Sequence, residues 1–153
     1  MATLKRKADP AFADPIRVPV FTPRFLLVLL LMLGGLAWIV YYYVGVRADD
    51  LGGKTSGPAF MGDLDNWNYL IGFGAFFLGL ILSAHPKTPL GRGRGVVVGM
   101  LGCFLVGLLW ICTFYVFSND LSPVPVMNDL GQKNLIVGIA LMATGFVFAT
   151  RWE

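Results

Sequence analysis

Twenty consecutive residues, Phe25 to Val44, carry no charge and lie between Arg24 and Arg47. As a helix rising 1.5 Å per residue, such a run is about 30 Å long, the thickness of a bilayer's hydrocarbon core. Gly95 to Phe117 is a second uncharged run, set between Arg94 and the polar Ser118-Asn119-Asp120. Trp67 to Ala84 and Leu135 to Thr150 are shorter and reach spanning length with their flanking residues. The pattern predicts an all-α integral membrane protein with four transmembrane helices. An N-terminal signal peptide is the competing reading of the first run, since Val46-Arg47-Ala48 has small residues at cleavage spacing. A signal core is only about 7–15 residues long, however, and Tyr41, Tyr42 and Tyr43 crowd that position, so an uncleaved anchor is expected.

Composition agrees. The chain is 56% hydrophobic and 14% charged, against about 25% charged in a soluble domain. A chain of 153 residues has no interior large enough to hide that much apolar side chain from water. The net charge of +3 separates by position. Lys5, Arg6, Lys7, Arg17, Arg24, Lys87, Arg92, Arg94 and Arg151 fall on one side, with Asp9, Asp14 and Glu153. Arg47, Lys54 and Lys133 fall on the other, with Asp49, Asp50, Asp63, Asp65, Asp120 and Asp129. Nine basic residues against three acidic mark the cytoplasmic face, so both termini are expected there. The basic balance is thus a topology signal, and no nucleic-acid partner is expected.

The chain also repeats itself. Gly35-Leu36-Ala37-Trp38-Ile39-Val40 recurs 72 residues on as Gly107-Leu108-Leu109-Trp110-Ile111-Cys112. Met61-Gly62-Asp63-Leu64, Asn68, Gly72 and Gly79 recur 66 residues on as Met127-Asn128-Asp129-Leu130, Asn134, Gly138 and Gly145. The unit is a helix, an outer loop and a second helix, written twice with the same orientation: two parallel-repeated helical hairpins. Expected boundaries are a disordered basic tail over 1–24, hairpins over 25–85 and 95–153, and a basic linker over 86–94. Inverted repeats, on which many transporters rely, need units of opposite orientation.

Small residues line up at helical spacing. Gly95, Gly99, Cys103 and Gly107 form one row, Gly72, Ala75, Gly79 and Ser83 another, and Gly138, Gly145 and Ala149 a third. Such rows let helix backbones approach closely in lipid. They are expected either to pack the helices together or to offer a docking face to another membrane protein.

Chemistry-bearing groups are sparse. No charged side chain lies within the four spans as bounded above, whereas ion-coupled carriers usually need one. His85 is the sole histidine and has no Cys or Glu cluster around it, so no metal site is expected. Cys103 and Cys112 are nine residues apart on one helix and point to different faces. Gly91-Arg92-Gly93-Arg94-Gly95 lacks the Lys-Ser/Thr of a phosphate loop and reads as a flexible cationic turn at the membrane surface. Thr22-Pro23 and Thr88-Pro89 are minimal phosphorylation candidates. Tyr41 to Tyr43, Trp67, Tyr69 and Tyr115 read as an outer interfacial belt and Trp152 as an inner one. Trp38 and Trp110 lie deeper, at equivalent positions, and their indole N–H groups need partners there. No catalytic residue and no cofactor is expected.

Gly35-Leu36-Ala37-Trp38-Ile39-Val40 in a first helix, followed by Asn66-Trp67-Asn68-Tyr69 opening a second, resembles the CrgA family of actinobacterial septation proteins. The closing Ala149-Thr150-Arg151-Trp152 and the basic Lys5-Arg6-Lys7-Ala8-Asp9 are similar to that family's ends. Its members usually have one helical hairpin, whereas this chain looks like two in tandem, with Lys133-Asn134 standing where the first copy has Trp67-Asn68. The resemblance implies a non-enzymatic membrane adaptor or regulator of septum formation, located at the division septum. It implies partners among FtsI-like septal peptidoglycan synthases, and FtsZ through the tail; the bilayer and further copies of the chain complete the set. A small four-helix transporter or channel is the alternative, for which the spans offer only Ser, Thr and Cys as polar lining.

Overall fold

The computed structural model describes residues 21–47 and 57–151. The expectations for Lys5, Arg6, Lys7 and Trp152 fall outside the described residues. Among those described there are helices and no strand: α1 (Pro23–Tyr41), α2 (Ala59–Leu64), α3 (Trp67–Ser83), α4 (Arg94–Val116), α5 (Met127–Leu130) and α6 (Asn134–Ala149). A π-helical turn, Tyr42–Val46, prolongs α1, and a 3₁₀ turn, Gly131–Lys133, joins α5 to α6. Three helical runs are long and apolar enough to cross a membrane: Pro23–Val46, Arg94–Val116 and Met127–Ala149. The fourth expected span, α3, is shorter at 17 residues.

Local chemistry explains where these helices begin. The Thr22 hydroxyl accepts from the Phe25 N–H at 3.2 Å, and Pro23, which has no N–H to leave unpaired, takes the first helical position. Thr22 is therefore the cap of α1. Thr88 is buried, its hydroxyl turned onto the carbonyls of Ser83 and His85, so the other Thr-Pro pair closes a turn and is shielded from a kinase. The glycine-arginine linker is likewise packed where a loose turn is expected. A side chain on Gly91 would strike the His85 carbonyl, and one on Gly95 would strike that of Pro89. Gly95 thus serves the turn and leaves the row that continues through Gly99, Cys103 and Gly107.

The helices pair in sequence order, α1 against α3 and α4 against α6, with residue numbers running in opposite directions along each contact. The two pairs use the same device. A Cβ on Gly72 would fall on the Ile39 side chain and 3.0 Å from the Gly35 carbonyl oxygen. A Cβ on Gly138 would fall on Ile111 and 3.3 Å from the Gly107 carbonyl oxygen. A Cβ on Gly79 would stand 2.8 Å from Met32, and one on its counterpart Gly145 would stand 3.3 Å from Phe104. Near the far end of the second pair, Gly99 receives the ring of Phe148, which is fully buried. Cys103 is buried in the same face, while Cys112 is exposed. The small-residue rows are thus occupied by helices of the chain itself.

Leu30, Leu109 and Ile136 point outward, each more than 60% exposed. Water would not tolerate so continuous an apolar surface, and lipid does.

Neighbouring glycines on α1 separate these roles. A Cβ at Gly35 lands on backbone of α3, whereas one at Gly34 meets nothing within 4 Å. Gly35→Val is expected to destabilise the detergent-solubilised protein by about 1–3 kcal/mol through overpacking. Gly34→Ala should leave stability unchanged or raise it by up to ~1 kcal/mol, since alanine is the better helix former. Thermal unfolding followed by circular dichroism compares the two; equal losses would mean that the α1–α3 contact does not hold the fold.

Candidate functional site

Residues 57–66, which lead into α3, and the segment between α4 and α6 converge at one end of the molecule, each pinned by a buried asparagine. Asn68, in the first turn of α3, donates from Nδ2 to the carbonyls of Met61 at 2.7 Å and Asp65 at 2.9 Å. Asn134 makes the same two bonds, to Met127 and Gly131, both at 2.8 Å. Both asparagines are fully buried. Each ties a short helix, α2 or α5, down onto the start of the long helix that follows. The turn between them needs a backbone with positive φ, 40° at Asp65 and 50° at Gly131. Glycine meets that requirement without strain in the second copy; the first has aspartate.

The pinned loops meet each other. Arg47 Nε stands 3.1 Å from Asp129 Oδ2, with the two side chains 24% and 17% exposed. The Tyr69 hydroxyl donates to the same oxygen at 2.6 Å, and the Arg47 guanidinium lies 4.9 Å from the centre of the Tyr43 ring. Asn128 Nδ2 reaches the Tyr43 hydroxyl at 3.4 Å. Tyr42 packs edge-on against Tyr69, 5.2 Å between ring centres, and donates to Asp65 at 3.3 Å. Burial by itself would lower the Arg47 pKa, but Asp129 and the Tyr43 hydroxyl outweigh it and leave it raised. The guanidinium is firmly cationic. Charge-assisted bonds of this kind, partly shielded from water, are stronger than an open surface pair. Arg47, Tyr43 and Tyr69 come from the first copy and Asp129 and Asn128 from the second, so this cluster joins the halves.

The copies are not interchangeable here. Asp63, the counterpart of Asp129, is exposed. Trp110 stacks edge-on against Phe73 of α3, 6.0 Å between ring centres, and so joins the halves deeper down. Trp38 instead lies against Phe60 of its own half at 6.4 Å. Among the described residues the partners expected for the two indole N–H groups are not found: Nε1 of both tryptophans is buried without an acceptor there, as Oδ1 of Asn68 and of Asn134 is without a donor. Trp67 and Lys133, which precede the two asparagines, are exposed at the rim of a cavity of about 450 Å³ between α3 and α6.

At the opposite end lie Arg24, Arg94 and Arg151, all exposed, with Arg92 half-buried. The Arg24 guanidinium is 3.2 Å from Nε2 of His85, which ties the start of α1 to the end of α3. Among the described residues no group of three or more His, Cys, Asp or Glu is arranged to hold a metal. The bridging role of Arg47, Tyr69 and Asp129 is not visible in their spacing. Its one trace in the sequence is the repeated Met-x-Asp-Leu, which marks Asp129 but marks Asp63 equally.

The chain matches the family described as Cell division protein CrgA twice, over residues 7–87 and 83–153, the arrangement that a tandem duplication leaves. The cell division protein CrgA of Streptomyces avermitilis is 38% identical over 67 residues, covering 44% of this chain and 75% of that protein. That of Corynebacterium aurimucosum is 38% identical over 76 residues, covering 46% and 80%. That of a Mycobacterium species is 28% identical over 81 residues, covering 47% and 86%. Each relative is thus aligned over about half of this chain. No solved structure matches it.

If Tyr69 and Arg47 hold Asp129 as one unit, their removals are not additive. Tyr69→Phe and Asp129→Asn are each expected to lower stability by about 1–3 kcal/mol. The double variant should fall short of the sum by about 0.5–3 kcal/mol, read from unfolding curves in the same detergent. Strict additivity would show that the two halves are held elsewhere.

Proposed function

The chain belongs to the CrgA family of cell division proteins, and from that membership we propose that it is a non-enzymatic membrane adaptor that coordinates septum formation with septal peptidoglycan synthesis. The double family match carries the reading, since both halves bear the family pattern. In this proposal all four long helices cross the membrane, as two hairpins of the same orientation. At 17 residues α3 is about 26 Å long, at the short end of what spans a bilayer. The end bearing Arg24, Arg92, Arg94 and Arg151 faces the cytoplasm, in keeping with the positive-inside rule, and places both termini there. Hairpin boundaries follow the repeat, 25–85 and 95–153, with the cytoplasmic linker between.

An adaptor needs surface to offer, and the described charged residues all lie in loops, in the short helices or at the ends of the long ones, which leaves the middle of the spans free of ion-coupling groups. Glycines 35, 72, 79, 99, 107, 138 and 145 are committed to packing inside each pair. Contacts with FtsI-like synthase anchors therefore fall to outward residues such as Leu30, Leu105 and Leu109, and to the outer loops. The basic tail, with Lys5, Arg6 and Lys7, is positioned by this topology to reach FtsZ or anionic headgroups. Trp152 would sit in the inner headgroup belt, and further copies of the chain are candidate neighbours.

A fluorescent fusion is expected to concentrate at septa, and photo-crosslinkers at Leu105 and Leu109 should capture septal synthase anchors in dividing cells. The same crosslinker at the inward Gly107 should capture none. Uniform envelope fluorescence together with normal septa in a deletion strain would sink the proposal.

A further inference from the structure

The cavity between α3 and α6 has a shape and a charge pattern of its own. It runs along α3 from Trp67 to Phe77, with Leu70 and Gly74 between them and Ile136 of α6 opposite. Ten residues at 1.5 Å rise make it about 15 Å long, a half-open groove of about 450 Å³. An apolar groove of that length accepts a hydrocarbon chain laid along α3.

Its two ends differ. The end toward Phe77 is apolar, while the end at Trp67 carries Lys133, an exposed ammonium that makes no ion pair among the described residues. Asp129 of α5, four residues before Lys133, is already engaged by Arg47 and Tyr69. Trp67, 65% exposed, adds an indole at the same level, a side chain suited to the boundary between headgroups and acyl chains. Gly74 completes the groove. A Cβ there would meet nothing within 4 Å, so no neighbouring helix requires glycine at this position, unlike Gly72 two residues earlier.

We propose that this groove binds one acyl chain of an anionic phospholipid, with the phosphate at Lys133. The proposal rests on the reading of α3 and α6 as membrane spans. A mismatch there is seen separately, as release of the protein from membranes by alkaline carbonate.

Full-length protein in mild detergent, titrated with phosphatidylglycerol or phosphatidylcholine and weighed intact by native mass spectrometry, supplies the test. Phosphatidylglycerol adducts are expected at about fivefold lower lipid concentration, the ratio that one surface cation yields. Lys133→Gln should bring the two lipids level. Gly74→Leu should remove retained lipid of either kind, while Gly34→Leu, on α1 where a Cβ also meets open space, should keep both. Circular dichroism identical to the parent protein shows that each variant is folded. Unaltered lipid retention in Gly74→Leu, or an undiminished phosphatidylglycerol preference in Lys133→Gln, overturns the proposal. So does a dimer that Gly74→Leu alone abolishes, which would assign the groove to a second copy of the chain.

Discussion

Lipid tails are as apolar as leucine, so helices in a membrane gain nothing by hiding apolar side chains from their surroundings, and association depends on how closely their backbones approach. In this protein that approach is set by two equivalent glycine contacts, Gly35 against Gly72 and Gly107 against Gly138, each with an isoleucine, Ile39 or Ile111, filling the space beside it. Everything else is arranged around these contacts. Small residues at the following turns, Gly79 with Met32 and Gly99 with Phe148, extend the seams. Leucine and isoleucine are left for the outer faces, where they cost nothing in lipid.

The two halves share this architecture and differ in the residues that join them. Each asparagine pin makes the same pair of bonds in its own copy, so the loops are built independently. The junction is asymmetric: Asp129 is engaged and Asp63 exposed, and Trp110 reaches into the other half while Trp38 stays within its own. The copies touch through equivalent helices, α3 and α6, so the asymmetry comes from side chains that differ between them, such as Tyr69 where the second copy has Leu135. The groove between α3 and α6 belongs to the junction and exists only because two copies are present in one chain.

Much of this is legible in the sequence. Uncharged runs mark the long helices to within a few residues, since exclusion of charge from lipid is severe enough to be read directly. The repeat offsets identify Asn68 with Asn134 and Gly72 with Gly138 before any contact is known. The glycine rows are visible too, although Gly95, in the first turn of α4, packs on Pro89 of the preceding linker instead of on α6, because spacing along a helix says nothing about which neighbour folds onto it. Thr22 and Thr88, alike as Thr-Pro pairs, become a helix cap and a buried turn.

The sequence by itself determined an all-helical, membrane-compatible chain of two similar units in the CrgA pattern, because period, length and charge exclusion are local properties. It also marked the one end at which cations gather. Tertiary structure alone decided which of two equivalent aspartates is used, which tryptophan crosses between the halves, and where an apolar groove is left open between α3 and α6. Those outcomes depend on how two nearly identical surfaces are juxtaposed, and residues 60 apart in the chain, such as Tyr69 and Asp129, carry no mark of being neighbours until the helices have packed.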